Sequence, residues 1–150
     1  MLTVNIPEDR CGPGDSGYAR HPDCGCIMTH VVWALGLPTY GQYNALAPQY
    51  FTRLHSLLAP HGAPTDRIHF AALVRQVQNE QDTAWQCAYT WRAPNHFPHQ
   101  RGDVQLLVNP PAARATGALH MRRALAAARQ LGVRVRWIKA ATTNQPKESP

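Results

Sequence analysis

The stretch VQLLVNPPAARATGALHMRRALAAARQLGVRVRW, residues 104–137, changes its hydrophobic period twice. Residues 104–108 are almost continuously apolar, the pattern of a strand buried on both faces and therefore central in its sheet. Thr116 offers a side-chain oxygen to cap a helix in which Ala118, Met121, Leu125 and Ala128 recur at helical spacing, while Arg122, Arg123 and Arg129 fall elsewhere on the cylinder. Gly132 ends that helix. Residues 133–137 then alternate Val, Arg, Val, Arg and Trp, as in a strand with its apolar face inward and Arg134 and Arg136 outward. Strand, helix and strand in this order predict a β-α-β unit with a right-handed crossover and two parallel strands.

N-terminal to this unit, Trp85, Cys87, Tyr89 and Trp91 alternate with Gln86, Ala88 and Thr90, which predicts a half-buried strand over residues 84–91. A helix is expected from Thr65 and Asp66, either of which can cap it, to about Gln81, with Phe70, Leu73, Val74 and Val77 on one face. Another begins at Pro48, aligns Phe51, Leu54, Leu57 and Leu58, and stops at Pro60. Residues 26–35 are nearly all apolar and are followed by Gly36 and Pro38, the order of a buried helix and its end. Residues 1–23 hold turn formers such as Pro7, Gly12, Pro13 and Gly14 and read as a loop-rich entry. The expectation is one α+β domain over residues 1–140, with N-terminal helices on a small mixed sheet and the β-α-β unit at the end. An α/β arrangement is the alternative, and residues 141–150 read as a disordered tail.

A chain of 150 residues is long enough to bury a single core without staples. No run approaches the roughly 18 continuous apolar residues of a membrane span, and no basic flank leads into an apolar stretch near Met1, so neither a membrane partner nor a secretory signal is expected. A cytoplasmic location follows, with non-classical export as the alternative, and the four cysteines read as reduced thiols. The net charge of +6 is uneven: residues 101–139 hold seven arginines and Lys139 against Asp103 alone. A field of that kind attracts anionic polymers.

The most reactive-looking segment is residues 21–37, HPDCGCIMTHVVWALGL, where Cys24 and Cys26 stand at the entry of an apolar helix. Unpaired amides and the positive end of the helix dipole stabilise a thiolate there and can also hold an oxyanion, with Gly25 among the donors. Asp23-Cys24-Gly25 followed by such a helix resembles the nucleophile segment of papain-like bacterial cysteine peptidases. Two branches share the resemblance, the NlpC-type cell-wall peptidases and the bacteriocin-leader peptidases, over about residues 15–43; Cys26 stands where the NlpC-type pattern has Gly. The resemblance implies Cys24 as nucleophile, His96 as base and Asn109 as orienter, acting without a cofactor on a peptide or on peptidoglycan. The NlpC-type spacing would instead offer Gly102-Asp103-Val104 and His120. A small basic hydrolase of this kind would suit a phage lysis factor or an antibacterial toxin.

The same residues allow other chemistry. A nucleic-acid-binding protein would use Arg122, Arg123, Arg129, Arg134 and Arg136 as phosphate contacts. His30, Asn44 and His55 fall in the order of an HNH nuclease, a resemblance that implies a hairpin, a divalent metal ion and a DNA substrate. Cys11, His21, Cys24 and Cys26 have the donor atoms for zinc, but Cys24 and Cys26 are one residue apart where zinc knuckles leave two to four. A non-catalytic partner-binding domain is the remaining class.

Overall fold

Alternation of Leu2, Val4 and Ile6 with Thr3 and Asn5 makes the chain begin with a strand, β1 (Leu2–Pro7), inside the stretch expected to be loop. The computed structural model describes residues 1–7, 27–37, 48–92 and 105–138. Four α-helices follow one another, α1 (Ile27–Ala34), α2 (Pro48–Leu58), α3 (Arg67–Ala88) and α4 (Pro111–Gln130), with β2 (Tyr89–Arg92) and β3 (Gln105–Val108) between the last two and β4 (Val133–Ile138) at the end. The fold is α+β. The tail expected at residues 141–150 lies outside the described residues.

β4 pairs with β1, in parallel, from Leu2 opposite Val133 to Pro7 opposite Ile138. The parallel pair therefore exists, but its members are the first and last strands. β3 pairs antiparallel with β2, Tyr89 opposite Val108 and Arg92 opposite Gln105, so strand, helix and strand do not close the expected unit. The apolar face of β4 needed a partner with matching alternation, and β1 supplies one. Among the described residues β3 has a partner on one side alone, and Val108 is 63% exposed, so within them it is an edge strand rather than the central one expected.

α1 and α2 have the boundaries their sequence implies. Gly36, at φ +73°, ends α1 with paired bonds from Gly36 N–H to Trp33 O (2.9 Å) and Leu37 N–H to Val32 O (3.1 Å), and Leu37 is buried against the helix it closes. Asp66 starts α3, its carboxylate accepting from Ile68 and His69 N–H at 3.3 Å each. α3 runs on through Ala88 rather than stopping near Gln81. The helical row Val77, Gln81, Ala84 continues the buried face, and it outweighs the period-two reading of Trp85 and Cys87; the extended backbone starts at Tyr89.

α4 begins at Pro111, where the missing N–H costs nothing, and Thr116 lies inside it with its hydroxyl donating back to Ala112 O. Its buried stripe is Gly117, Ala124, Ala127 and Ala128; Met121 and Leu125 lie at its margins, and Ala118 is exposed. The small residues let α3 and α4 approach closely: a Cβ on Gly117 would stand 2.7 Å from Ala84 O.

One core joins these elements. Phe70, Leu54 and Leu58 meet Ile27, Met28, Val31 and Val32 of α1, and the same cluster contains Val4, Ile6 and Val133 of the sheet and Leu131 after α4. Residues 27–32 are all buried, so α1 is the central helix. Gln81, itself buried, accepts the Ile27 N–H through Oε1 at 2.9 Å and caps α1 from α3.

Two glycines with positive φ separate strain from contact. Gly36 has nothing within 4 Å of an added Cβ, whereas at Gly132 (φ +82°) that atom would lie 2.4 Å from His61 O. Gly36→Ala is expected to cost about 1 kcal/mol from the left-handed backbone alone, and Gly132→Ala roughly 3 kcal/mol or more, because backbone must also move. Urea denaturation of the two variants checks the order; equal costs would mean that the close approach at His61 adds nothing.

Candidate functional site

The residues singled out by the peptidase resemblance are only partly placed. Cys24 and His96 lie outside the described residues, as do Cys11, His21, Cys26 and Asn44. Asn109 is described, and its local role is structural. Its Nδ2 donates to Gln86 O at 3.1 Å and Cys87 O at 3.0 Å, while its backbone N–H donates to Ala88 O at 2.8 Å. These are carbonyls of the last turn of α3, which no helical amide can reach, so Asn109 closes α3 and sets β3 beside β2. Any action on a histidine would pass through its Oδ1 alone.

His120 meets Glu80 across the α3–α4 interface, Nδ1 to Oε2 at 2.7 Å, with both side chains about four-fifths buried. The hairpin that an HNH arrangement requires is helix instead: His30 is buried in α1, its ring edge-on to Trp33, and His55 belongs to α2. His55 Nε2 lies 2.7 Å from Pro64 O, and since a carbonyl only accepts, that nitrogen carries a hydrogen and is no metal ligand in this arrangement. The ring also stacks on Phe70 with centroids 4.4 Å apart. Among the described residues no three His, Cys, Asp or Glu side chains gather to hold a metal ion.

The arginines of α4 and β4 are all described, and all are exposed or half-exposed. In α4, Arg122 and Arg129 are seven residues apart, two turns and about 10 Å along the axis, at the centre of the face opposite the buried stripe. Arg123 and Arg114 flank them. In β4, Arg134 and Arg136 alternate with the inward Val133, Val135 and Trp137, and the register sets them beside the exposed Thr3 and Asn5 of β1. The five arginines read from the sequence as one basic site are thus divided between a helix face and a sheet face. None of them bonds to or pairs with a described residue, unlike Arg67, which lies over the Phe51 ring at 5.2 Å and donates to Thr52 Oγ1.

Among the described residues the carboxylates are elsewhere. β1, α4 and β4 contain no Asp or Glu. The described acids are Asp66, which caps α3, Glu80, which holds His120, and Asp82. Arg129 also lies in the last turn of α4, where a cation offsets the helix dipole, so part of its role is local stability. The other arginines of the two faces have no such local explanation. Among the described residues no helix is long and apolar enough to cross a membrane. Comparison with known proteins finds no matching family model, no matching curated protein and no matching solved structure.

Partial burial of Asp82 raises its carboxyl above its ordinary value by desolvation. A folded-state value above the unfolded one means that folding disfavours the ionised form, so this cost is present at neutral pH and vanishes once both states are protonated. Asp82→Asn is therefore expected to raise stability at pH 7 and to lose that gain below about pH 4, near the ordinary Asp value. Thermal unfolding at the two pH values measures this; an equal gain at both would assign the effect to packing.

Proposed function

We propose that the protein binds double-stranded nucleic acid through its phosphate backbone, without reading sequence. The observation that carries this reading is the segregation of charge: six arginines open to solvent, Arg114, Arg122, Arg123, Arg129, Arg134 and Arg136, occupy α4 and β4, and those elements and β1 hold no carboxylate. Guanidinium groups present forked donors that match phosphate oxygens, and neutralising phosphates releases counterions, which supplies affinity without specificity. The outward faces carry no aromatic side chain on which a single strand could stack its bases, since Trp137 faces the core. The backbone of a duplex suits such faces better.

Affinity for a random-sequence duplex should fall steeply with salt. Replacing three helix arginines together, Arg122→Gln, Arg123→Gln and Arg129→Gln, should lower the slope of log K against log salt by roughly 2 to 3, about 0.9 for each phosphate no longer neutralised. Fluorescence anisotropy across a salt series measures it. A slope unchanged in the triple variant, or an affinity indifferent to salt, would sink the proposal.

A second reading, peptide or peptidoglycan hydrolysis at Cys24, is supported by one feature: Asp23-Cys24-Gly25 runs almost directly into α1, whose first six residues are buried, as the resemblance to papain-like peptidases implies. Here His96 takes the thiol proton as Cys24 attacks the amide carbon; the C–N bond breaks with that proton passing to the leaving amine, and water then hydrolyses the thioester to give the acid and restore the thiol. Alkylation of Cys24 by iodoacetamide, located by mass spectrometry with Cys24→Ser as control, should then persist well below pH 7. A rate that rises only near the ordinary thiol value of about 8.5 would dismiss the nucleophile.

A further inference from the structure

Parallel sheets are ordinarily covered on both faces. Among the described residues the β1–β4 pair is covered on one. Val4, Ile6 and Val133 are buried in the core, while Thr3, Asn5, Arg134 and Arg136 form a solvent-facing row on the other side. That row is polar and cationic, so its occupant is not an apolar surface. Arg134 and Arg136 are two residues apart on one strand, about 6.7 Å, and the Thr3 hydroxyl and the Asn5 amide beside them add hydrogen-bond donors at the same level.

The position of this row relative to α4 is fixed by the core. Ala124, Ala127 and Ala128 of α4 and Val4, Ile6 and Val133 of the sheet belong to one buried cluster, so the inner side of the helix and the inner side of the sheet both look into it. The arginines of α4 and those of β4 consequently point away from that shared core, from a helix on one side and from the sheet on another.

We infer that a single copy of the protein is bivalent, holding one duplex on the α4 face and a second on the β1–β4 face, and so bridges separate nucleic-acid segments. This rests on the phosphate-binding reading above and adds to it a number of sites and a consequence, the joining of two duplexes. The ligand on both faces is the same phosphodiester backbone. Bridging by one copy also has a concentration signature: when protein is in excess, each duplex fills with its own copies and bridges become fewer.

The test uses the full chain, an immobilised 30-base-pair duplex of random sequence and a fluorescent duplex of the same kind in solution at low salt. Wild type should capture the fluorescent duplex, with a maximum at intermediate protein concentration. The helix variant (Arg122→Gln, Arg123→Gln, Arg129→Gln) and the sheet variant (Arg134→Gln, Arg136→Gln) should each still bind the immobilised duplex yet capture at least about tenfold less, and Arg134→Lys with Arg136→Lys should restore capture because charge suffices at a phosphate. Wild type that binds the beads without capturing overturns bivalency and leaves phosphate binding standing. Undiminished capture by a single-face variant also overturns it, because two copies would then be joining the duplexes. No binding to the beads removes both.

Discussion

The parallel ladder between β1 and β4 holds the two ends of the described chain together, and the rest of the architecture is arranged around it. Closing a loop of about 130 residues costs on the order of 4 kcal/mol in chain entropy by the usual logarithmic scaling. Hydrogen bonds contribute only about 1 kcal/mol each once exchange with water is counted, so they do not decide the matter alone. Burial does. Val4, Ile6 and Val133 are all at most 3% exposed, and each contributes roughly 1.5 to 3 kcal/mol when removed from water. The ladder also needs the chain to reverse sharply after α4. Gly132 provides that turn, its carbonyl accepting the first bond from Leu2 N–H at 2.8 Å, in a spot so close to His61 that no side chain fits.

The interface of α3 with α4 follows a related logic. α4 has Gly and Ala where it meets its neighbour, and these bury little area per residue, so its attachment depends on close approach rather than on bulk. A helix built this way keeps its long side chains for the outside, and in α4 the longest are arginines. Sequence and surface are therefore linked: the small residues that let the helix dock closely leave a solvent face of Arg with Ala between.

Local periodicity made α1, α2, the cap at Asp66 and the existence of α4 and β4 legible, because each depends on residues within a few turns of one another. It failed where two periods fit the same residues. Trp85 and Cys87 alternate convincingly, yet Ala84 has its place on the helical row from Val77, and the close approach of Gly117 on α4 decides for helix. It failed again for β4, whose partner lies at the opposite end of the chain in six residues flanked by turn formers. Asn109 shows the same limit for site residues: it follows β3 in the chain, yet its side chain bonds the Gln86 and Cys87 carbonyls at the far-off end of α3, a role no local pattern announces, whereas the motif reading gave it a histidine to orient. The arginines were legible as charge and as outward-facing; their division between two sides depended on knowing which strand β4 joins.

That division changes how the charge behaves. At physiological ionic strength fields decay over about 8 Å in solvent, so exposed charges on separate faces are screened from each other where the path between them runs through water. Charge divided between two such faces is therefore less self-repelling than the same charge gathered on one. Among the described residues Glu80 does not even out the balance, because it is held in the α3–α4 seam by His120 rather than on either face. Had the same arginines shared one surface, their mutual repulsion would be relieved by a single anion and the domain would present one strong site. Divided between a helix face and a sheet face, they spread the same charge over two surfaces and lower that repulsion with no anion bound.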